Sequence, residues 1–233
     1  MKTFVLSLFL SFAFIFNSSG QSTTMLKPDK NSIIKTESGR IAKGDSWRYL
    51  MSSGKYDLKQ DTTSKNTFLI YELSDSAYLA KMAMLPKPKE SHFFKTGKSL
   101  WINEQDIEGN KLNSKDLKGD ILVINFWFIN CIPCRVEISE LNKIVDQYKD
   151  STNIKFIAIA TDGDSELKKF LKEMPFKYQI VADGGSTINS LGITSFPTHA
   201  IIDREGKVYF HTNGLSMQTT YWIKKAIQEL TNK

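Results

Sequence analysis

Two cysteines three positions apart are the residues of this chain whose spacing could do chemistry. Cys131 and Cys134 are the only cysteines among the 233 residues, and they lie in the stretch FWFINCIPCRVEISEL, residues 126–141. Such a pair could form a structural disulfide, bind a metal ion or exchange disulfides with another molecule. A disulfide stabilises mainly by closing a loop of the unfolded chain, and the benefit falls as the loop shortens. A purely structural staple is therefore disfavoured.

A metal site would need more ligands than two thiols. Structural zinc sites use four protein ligands and catalytic zinc sites three. The three histidines, His92, His199 and His211, lie in different segments without ligand spacing. We predict no resident metal, although copper handling through both thiolates stays open because thiolates suit soft ions.

Redox exchange fits the position of the pair best. The stretch ILVINFWF, residues 121–128, is continuously apolar, which is typical of a central strand covered on both faces. The cysteines follow its carboxyl end and open a helix, and the N–H groups at a helix start favour a thiolate. We predict that Cys131, the first and more exposed cysteine, is the nucleophile. Cys134, one turn into the helix, is then the resolving thiol, and Pro133 suits the first helical turn.

The helix that begins here carries one acidic residue on its apolar side. Glu137 lies within a stripe of apolar residues at helical spacing, formed by Cys134, Ile138, Leu141, Val145 and Tyr148. A carboxylate on a buried face is costly unless it is paired or protonated. Glu137 is therefore a candidate for proton transfer near neutral pH. The alternative is that its side chain reaches water or pairs with a lysine.

Strands and helices alternate around these residues. A hairpin with its turn at Glu108-Gly109-Asn110 is predicted before the central strand. After the cysteine helix we predict a strand at 154–160, a helix at 165–174, a strand at 178–182, a short helix at 187–191, two strands in HAIID and KVYFH, and a helix at 216–230. This order predicts a three-layer α/β domain with a central mixed β-sheet over residues 91–233.

The beginning of the chain predicts export. Lys2 is followed by an apolar run from Phe4 to Phe16, which is typical of a signal peptide and too short to span a bilayer. We predict cleavage after Gly20 and a soluble, periplasmic mature protein without stable membrane insertion. The formal charge is +6 and the lysines are spread along the chain, so a nucleic-acid partner is not expected.

Residues 21–90 form a separate small region in this interpretation. The proline-containing stretch LPKPKES, residues 85–91, marks its boundary. We predict that residues 21–40 are polar and mobile. A small α+β unit follows, with a helical turn at SWRYLM, strands near 56–58 and 67–73, and a helix capped by Asp75 that ends near Leu85. The unit carries no recognisable catalytic residues, and the sequence does not indicate its role.

The order of NFWF, Cys-Ile-Pro-Cys and a distal SFPTHAIID resembles the thioredoxin fold. It resembles in particular the exported TlpA/ResA-type thiol–disulfide oxidoreductases of the AhpC/TSA–redoxin superfamily, over roughly residues 91–233. The resemblance implies that Pro197 follows a cis peptide bond beside the cysteines and that the backbone of Phe196 pairs with the substrate chain. It also implies a functional acid three residues after the second cysteine, which is Glu137.

The resemblance further implies partners and a direction of reaction. We predict a protein-disulfide reductase whose substrates are exported proteins with disulfides, such as apocytochromes in cytochrome c maturation. No nicotinamide or flavin motif is present, so no cofactor is predicted and the electron donor is expected to be a membrane-held relay. The predicted substrate surface comprises Phe196, Pro197, Trp127, Ile132 and Pro133, with Trp127 shielding the disulfide by packing.

Some residues differ from those usual at the same positions in proteins with the thioredoxin fold. Asn125 stands where cytosolic thioredoxins have a buried aspartate, so proton handling falls to Glu137. Ile132-Pro133 is an uncommon pair between the cysteines, and it does not indicate the reduction potential, which decides the direction of electron flow. A thiol peroxidase is the alternative enzyme, but its Thr-x-x-Cys arrangement is absent. His199, two residues after Pro197, lies either near the site or, as we favour, in the sheet with its ring satisfied by neighbours.

Overall fold

The computed structural model describes residues 28–42, 44, 46–64 and 66–232. The predicted signal peptide, residues 1–20, lies outside the described residues. Within the described ranges, no helix combines the length and the apolar character that crossing a membrane requires.

The N-terminal region forms a small sheet with two helices. It contains β1 (Ile33–Thr36), α1 (Ser46–Ser52), β2 (Tyr56–Gln60), β3 (Thr67–Glu72) and α2 (Asp75–Met84). β3 is the middle strand, pairing in parallel with β1 and antiparallel with β2. The inner side of this sheet buries Ile34, Phe68 and Ile70.

Two predictions for this region are wrong. Residues 33–36, predicted to be mobile, form β1, whose Ile34 pairs with Phe68 and is buried. The predicted cap Asp75 is instead the first residue of α2. The N-cap is Ser74, whose side-chain oxygen accepts a hydrogen bond from the N–H of Ala77 at 3.3 Å. Asp75 lies in the first turn, where its negative charge interacts favourably with the positive end of the helix dipole.

A hairpin and a five-stranded sheet make up the rest of the fold. β4 (Asn103–Gln105) and β5 (Lys111–Asn113) form the predicted hairpin. They are followed by β6 (Ile121–Trp127), α3 (Ile132–Gln147), β7 (Ile154–Ala160), α4 (Asp164–Glu173), β8 (Gln179–Val181), α5 (Gly185–Ser190), β9 (Thr198–Ile202), β10 (Val208–Asn213) and α6 (Thr219–Thr231). The strand order is β10-β9-β6-β7-β8, with β9 antiparallel to its neighbours β6 and β10, and β6, β7 and β8 parallel. The predicted central mixed sheet is therefore confirmed.

The sheet is buried on both faces. All seven residues of β6 are buried, as its continuous apolar sequence predicts. Side chains of α3, α4 and α6 pack in one core cluster with one face of the sheet. Side chains of α5 and of the segment before β6 pack in the other cluster. This three-layer arrangement places the end of β6 and the start of α3 at one edge of the sheet.

Candidate active site

The two cysteines form a disulfide at the start of α3. Their sulfur atoms are 1.98 Å apart and their Cα atoms 5.2 Å apart. Cys131 is the N-cap of α3, and its Sγ accepts a hydrogen bond from the N–H of Cys134 at 3.2 Å. Pro133 occupies the first turn, where its missing N–H costs no helical hydrogen bond. A thiolate at Cys131 would therefore face the positive end of the helix dipole.

A surface depression distinguishes the two sulfurs better than their exposure does. Cys131 is 4% exposed and Cys134 3%, so the expected difference in exposure is absent in the disulfide form. The depression is lined by Phe128, Asn130, Cys131, Ile132, Pro133, Thr194, Ser195 and Phe196. Cys134 does not line it. A molecule bound in the depression would meet Cys131 first.

Most of the predicted substrate surface surrounds this depression. The Phe196–Pro197 peptide bond is cis, and Pro197 itself is buried. The Phe196 ring packs edge-on against Phe128, with ring centroids 5.3 Å apart. Ile132 is 51% exposed. In the described part of the chain, the N–H and C=O of Phe196 make no backbone hydrogen bond.

Trp127 does not belong to this surface. Its side chain is fully buried, and its ring packs against Phe170 and Phe176 at centroid distances of 5.6 and 5.5 Å. It lies in the same core cluster as the two cysteines. Because a fully buried ring cannot touch a bound substrate, Trp127 is corrected from a substrate contact to a packing residue behind the disulfide.

Glu137 is buried one helical turn after Cys134. Its side chain is 4% exposed, and Oε2 lies 2.9 Å from Nε2 of His199. The other oxygen, Oε1, has no hydrogen-bond partner among the described residues. The side chain therefore neither reaches water nor pairs with a lysine.

His199 and Asn125 complete a buried polar chain that the sequence did not reveal. His199 is 1% exposed on β9, and its Cα pairs with that of Asn125 on β6. Nδ2 of Asn125 lies 3.2 Å from Nδ1 of His199. The ring of His199 is satisfied by neighbours, as favoured from the sequence, but one of those neighbours is Glu137. The available signal was a polar residue within each of two mostly apolar strands, Asn125 in β6 and His199 in β9.

Two further residues shape the surroundings of the site. Oδ2 of Asp162 accepts a hydrogen bond from the N–H of Ile129 at 2.8 Å, which fixes the loop that leads to Cys131. Burial, together with the charge of Glu137, raises the pKa of Tyr178, so this phenol stays neutral. Within the described ranges, no group of three or more His, Cys, Asp or Glu side chains is placed to hold a metal ion.

Comparisons with known proteins match the domain that contains this site. The AhpC/TSA family model matches residues 98–211, a range that includes both cysteines, Glu137 and the Phe196–Pro197 bond. A thiol-disulfide oxidoreductase ResA of Bacillus thuringiensis is 33% identical over 128 residues. That alignment covers 54% of this chain and 72% of the relative.

Solved structures share the fold. A protein assigned as the thiol:disulfide interchange protein DsbE in Chlorobium tepidum matches with a TM-score of 0.53 and 24% identity, over 59% of this chain and 98% of that protein. A thiol:disulfide interchange protein of a Bacteroides species matches with a TM-score of 0.50 and 24% identity, over 60% of this chain and 93% of that protein. Both support the thioredoxin-like fold of the C-terminal domain.

Proposed function

The chain belongs to the ResA-type thiol–disulfide oxidoreductases, and from this premise we propose that it reduces disulfides of exported proteins through Cys131 and Cys134. The observation that carries the proposal is the disulfide itself. It joins two cysteines at the start of α3, and one of them borders a surface depression next to a cis proline. An electron-carrying dithiol needs this combination of a reversible bond and an accessible first sulfur.

The order of attack follows from which sulfur a substrate can reach. The Cys131 thiolate attacks a substrate disulfide, forms a mixed disulfide and releases one substrate thiolate. The Cys134 thiolate then attacks Sγ of Cys131, which releases the second substrate sulfur and closes the Cys131–Cys134 disulfide. Two electrons pass from the cysteine pair to the substrate. The position of Cys131 on the depression and of Cys134 behind it supports this order.

Glu137 is proposed to handle the proton of the second step. A thiol must lose its proton before it attacks, because the thiolate is the nucleophile. Glu137 is three residues beyond Cys134, and side chains three apart on a helix lie on the same side. Its burial, and an Oε1 that has no hydrogen-bond partner in the described part of the chain, support a role as the acceptor of the Cys134 proton.

The substrate is proposed to bind as an extended segment across the depression. The N–H and C=O of Phe196, which have no backbone partner among the described residues, would form hydrogen bonds with the backbone of this segment, as one strand does with another. Ile132 and Pro133 also line the depression and offer apolar contact. Main-chain pairing of this kind gives affinity without strict sequence selection, which suits a reductase of several proteins.

Export, regeneration and the division of the chain belong to the same proposal. We propose that residues 1–20 direct the protein to the periplasm and that residues 21–90 form a separate small domain in front of the thioredoxin-like domain. The oxidised pair would be reduced again by a membrane-held dithiol protein. No cofactor is proposed, since cysteine exchange alone moves the electrons.

A glutathione redox titration with thiol trapping tests the direction of electron flow. A midpoint below roughly −230 mV is expected for a reductase, whereas a midpoint near −120 mV would identify an oxidant. Cys134→Ser is expected to accumulate a mixed disulfide with a disulfide-bonded protein, and Cys131→Ser is not. Failure of the pair to form a disulfide, or trapping through Cys134 alone, would contradict the proposal.

A further inference from the structure

We propose that His199 is a positioning residue for Glu137 in the exchange reaction, and that Asn125 holds its ring so that Nε2–H always faces the carboxylate. The inference rests on the proposed role of Glu137 as the proton acceptor. It assigns a partner to that acid and a function to two polar residues in the core of the sheet.

The three side chains lie side by side on one face of the sheet. Asn125 and His199 are cross-strand partners on β6 and β9, and α3 covers this face with Glu137 pointing at the sheet. All three residues are at most 5% exposed. Buried polar groups are costly when they lack partners. Each of these residues meets at least one other member of the set, so the chain of contacts forms one polar unit inside an apolar core.

The direction of the hydrogen bonds fixes the state of the ring. Nδ2 of Asn125 lies 3.2 Å from Nδ1 of His199, and in the proposed arrangement it donates to this nitrogen, which then carries no proton. The ring proton of the neutral imidazole is then on Nε2, which donates to Oε2 of Glu137 at 2.9 Å. His199 thus acts as a donor that stabilises the carboxylate and does not compete with it for the proton of Cys134.

The same arrangement leaves one carboxylate oxygen free for the reaction. His199 occupies Oε2, while Oε1 has no partner among the described residues. In the second step the proton moves from Sγ of Cys134 to Glu137, and the new thiolate forms a bond to Sγ of Cys131. The bond between Cys131 and the substrate sulfur breaks, and that sulfur leaves as a thiolate and takes a proton from water.

Among the described residues, the other titratable groups near Glu137 and His199 are Tyr178 and Glu140. Tyr178, from the segment before β8, contributes a neutral phenol. Glu140 lies one turn further along α3, where Lys143 at 2.7 Å and Lys55 at 3.8 Å neutralise it. A narrow opening between α1, α3 and the segment before α6 reaches Glu137, with Ser53 and Ser216 in its lining. His211 packs against Phe94 on the other face of the sheet and does not contribute.

A pair of His199 variants separates this role from a purely structural one. His199→Phe keeps the volume and removes the N–H donor, whereas His199→Gln keeps a donor that does not titrate. The single-turnover rate at which the reduced protein reduces a disulfide-bonded peptide is measured from pH 5 to pH 9. Without the donor the ionised carboxylate is less stable, so more base is needed to reach the active form.

We expect the midpoint of the pH–rate profile of His199→Phe to rise by about one pH unit, with a rate at pH 7 lower by up to roughly tenfold. His199→Gln should recover most of the wild-type profile. In a Cys134→Ser background, alkylation of Cys131 reports the first step alone and should not change with either variant. Superimposable profiles, or equal losses in both variants, would overturn the inference.

A measurement on the wild type needs no substitution. Nitrogen NMR of the His199 ring at pH 7 should show a protonated Nε2 and an unprotonated Nδ1. A ring protonated on Nδ1, alone or with Nε2, would overturn the inference even if His199→Phe does not fold. A wild-type protein that cannot reduce the peptide overturns the proposed function together with this inference, whereas an active wild type with unchanged variants overturns this inference alone.

Discussion

The two faces of the central sheet each bury a histidine near a glutamate, and the two pairs are built differently. On the face covered by α3, His199 and Glu137 are 2.9 Å apart, with side chains 1% and 4% exposed. On the opposite face, His211 lies 4.0 Å from Glu90, whose side chain is 55% exposed. Only in the first pair are the two side chains in hydrogen-bond contact and both buried.

The surroundings of His211 make it a core ring and not a proton donor. It packs edge-on against Phe94, with ring centroids 6.0 Å apart. Burial lowers the pKa of His211, and the neighbouring Glu90 raises it by less. Glu90 is held by Lys87 at 3.1 Å, and this hydrogen bond keeps the pKa of Glu90 below its usual range.

The two histidine–glutamate pairs differ in a feature other than the burial of the histidine. Both histidines are almost fully buried, so burial does not separate them. The difference is a third residue, Asn125, that contacts one ring nitrogen, and a carboxylate side chain that is itself buried. Glu137 is also three residues beyond Cys134 on the same side of α3, which Glu90 is not.

The largest expected effect is that of removing the Glu137 carboxylate, and removal of the Glu90 carboxylate on the opposite face is its control. Glu137→Gln should slow the reduction of a disulfide-bonded peptide at pH 7 by about a hundredfold or more, because a positioned general base typically contributes at least that factor. Glu90→Gln should leave the rate unchanged. Single-turnover rates of Glu137→Gln and Glu90→Gln from pH 5 to pH 9 test this prediction. Equal effects of the two substitutions would remove the distinction between the faces.

Much of the C-terminal domain could be predicted from its sequence because its signals are local. β6 and β7 are continuous apolar runs, and β7 has the predicted bounds, Ile154–Ala160. The start of α3 combines a capping residue with a proline in the first turn, and both signals lie within three positions. Signals of this kind depend on neighbouring residues alone, so no knowledge of the tertiary fold is needed to interpret them.

The remaining features depend on contacts between distant residues. β1 is four residues long and pairs with β3, more than thirty positions later in the chain, and its sequence carries no alternating pattern. The contact between Glu137 and His199 joins residues 62 positions apart. The sequence marks Glu137 as an acid on an apolar stripe, but only the packing of α3 on β9 makes it the partner of His199.

A smaller effect is expected from the histidine of the opposite face, on stability. The folded-state pKa of His211 is below that of the unfolded chain, about 6.5. As the pH falls below this value, the unfolded state binds a proton before the native state does, so stability is present above about pH 6.5 and is lost below it. His211→Phe should flatten this dependence without changing the exchange rate.

Urea unfolding of the two proteins from pH 7.5 to pH 5 tests this prediction, with peptide reduction measured alongside. A wild-type stability that does not fall faster than that of His211→Phe would contradict the buried neutral state of this ring. A slower disulfide exchange in His211→Phe would show that the two faces of the sheet are coupled and that His211 influences the reaction.

The smallest effect is expected where the N-terminal region contacts α3. Lys55 lies 3.8 Å from Glu140 of α3 and 3.6 Å from Asp75, with 15% of its side chain exposed. Lys55→Met should lower the free energy of unfolding by less than about 1 kcal/mol, because ion pairs that water reaches contribute little. It should also raise the midpoint of the pH–rate profile slightly, since Glu140 then adds negative charge near Glu137.

Lys81→Met is the matched control for this substitution. Lys81 pairs with Asp57 at 3.0 Å inside the N-terminal region, so its loss should affect stability to a similar degree and leave the pH–rate profile unchanged. The difference between the two profiles measures how far the charges on the N-terminal region reach the acid of the active site. Identical profiles would mean that the charges on the N-terminal region do not influence Glu137.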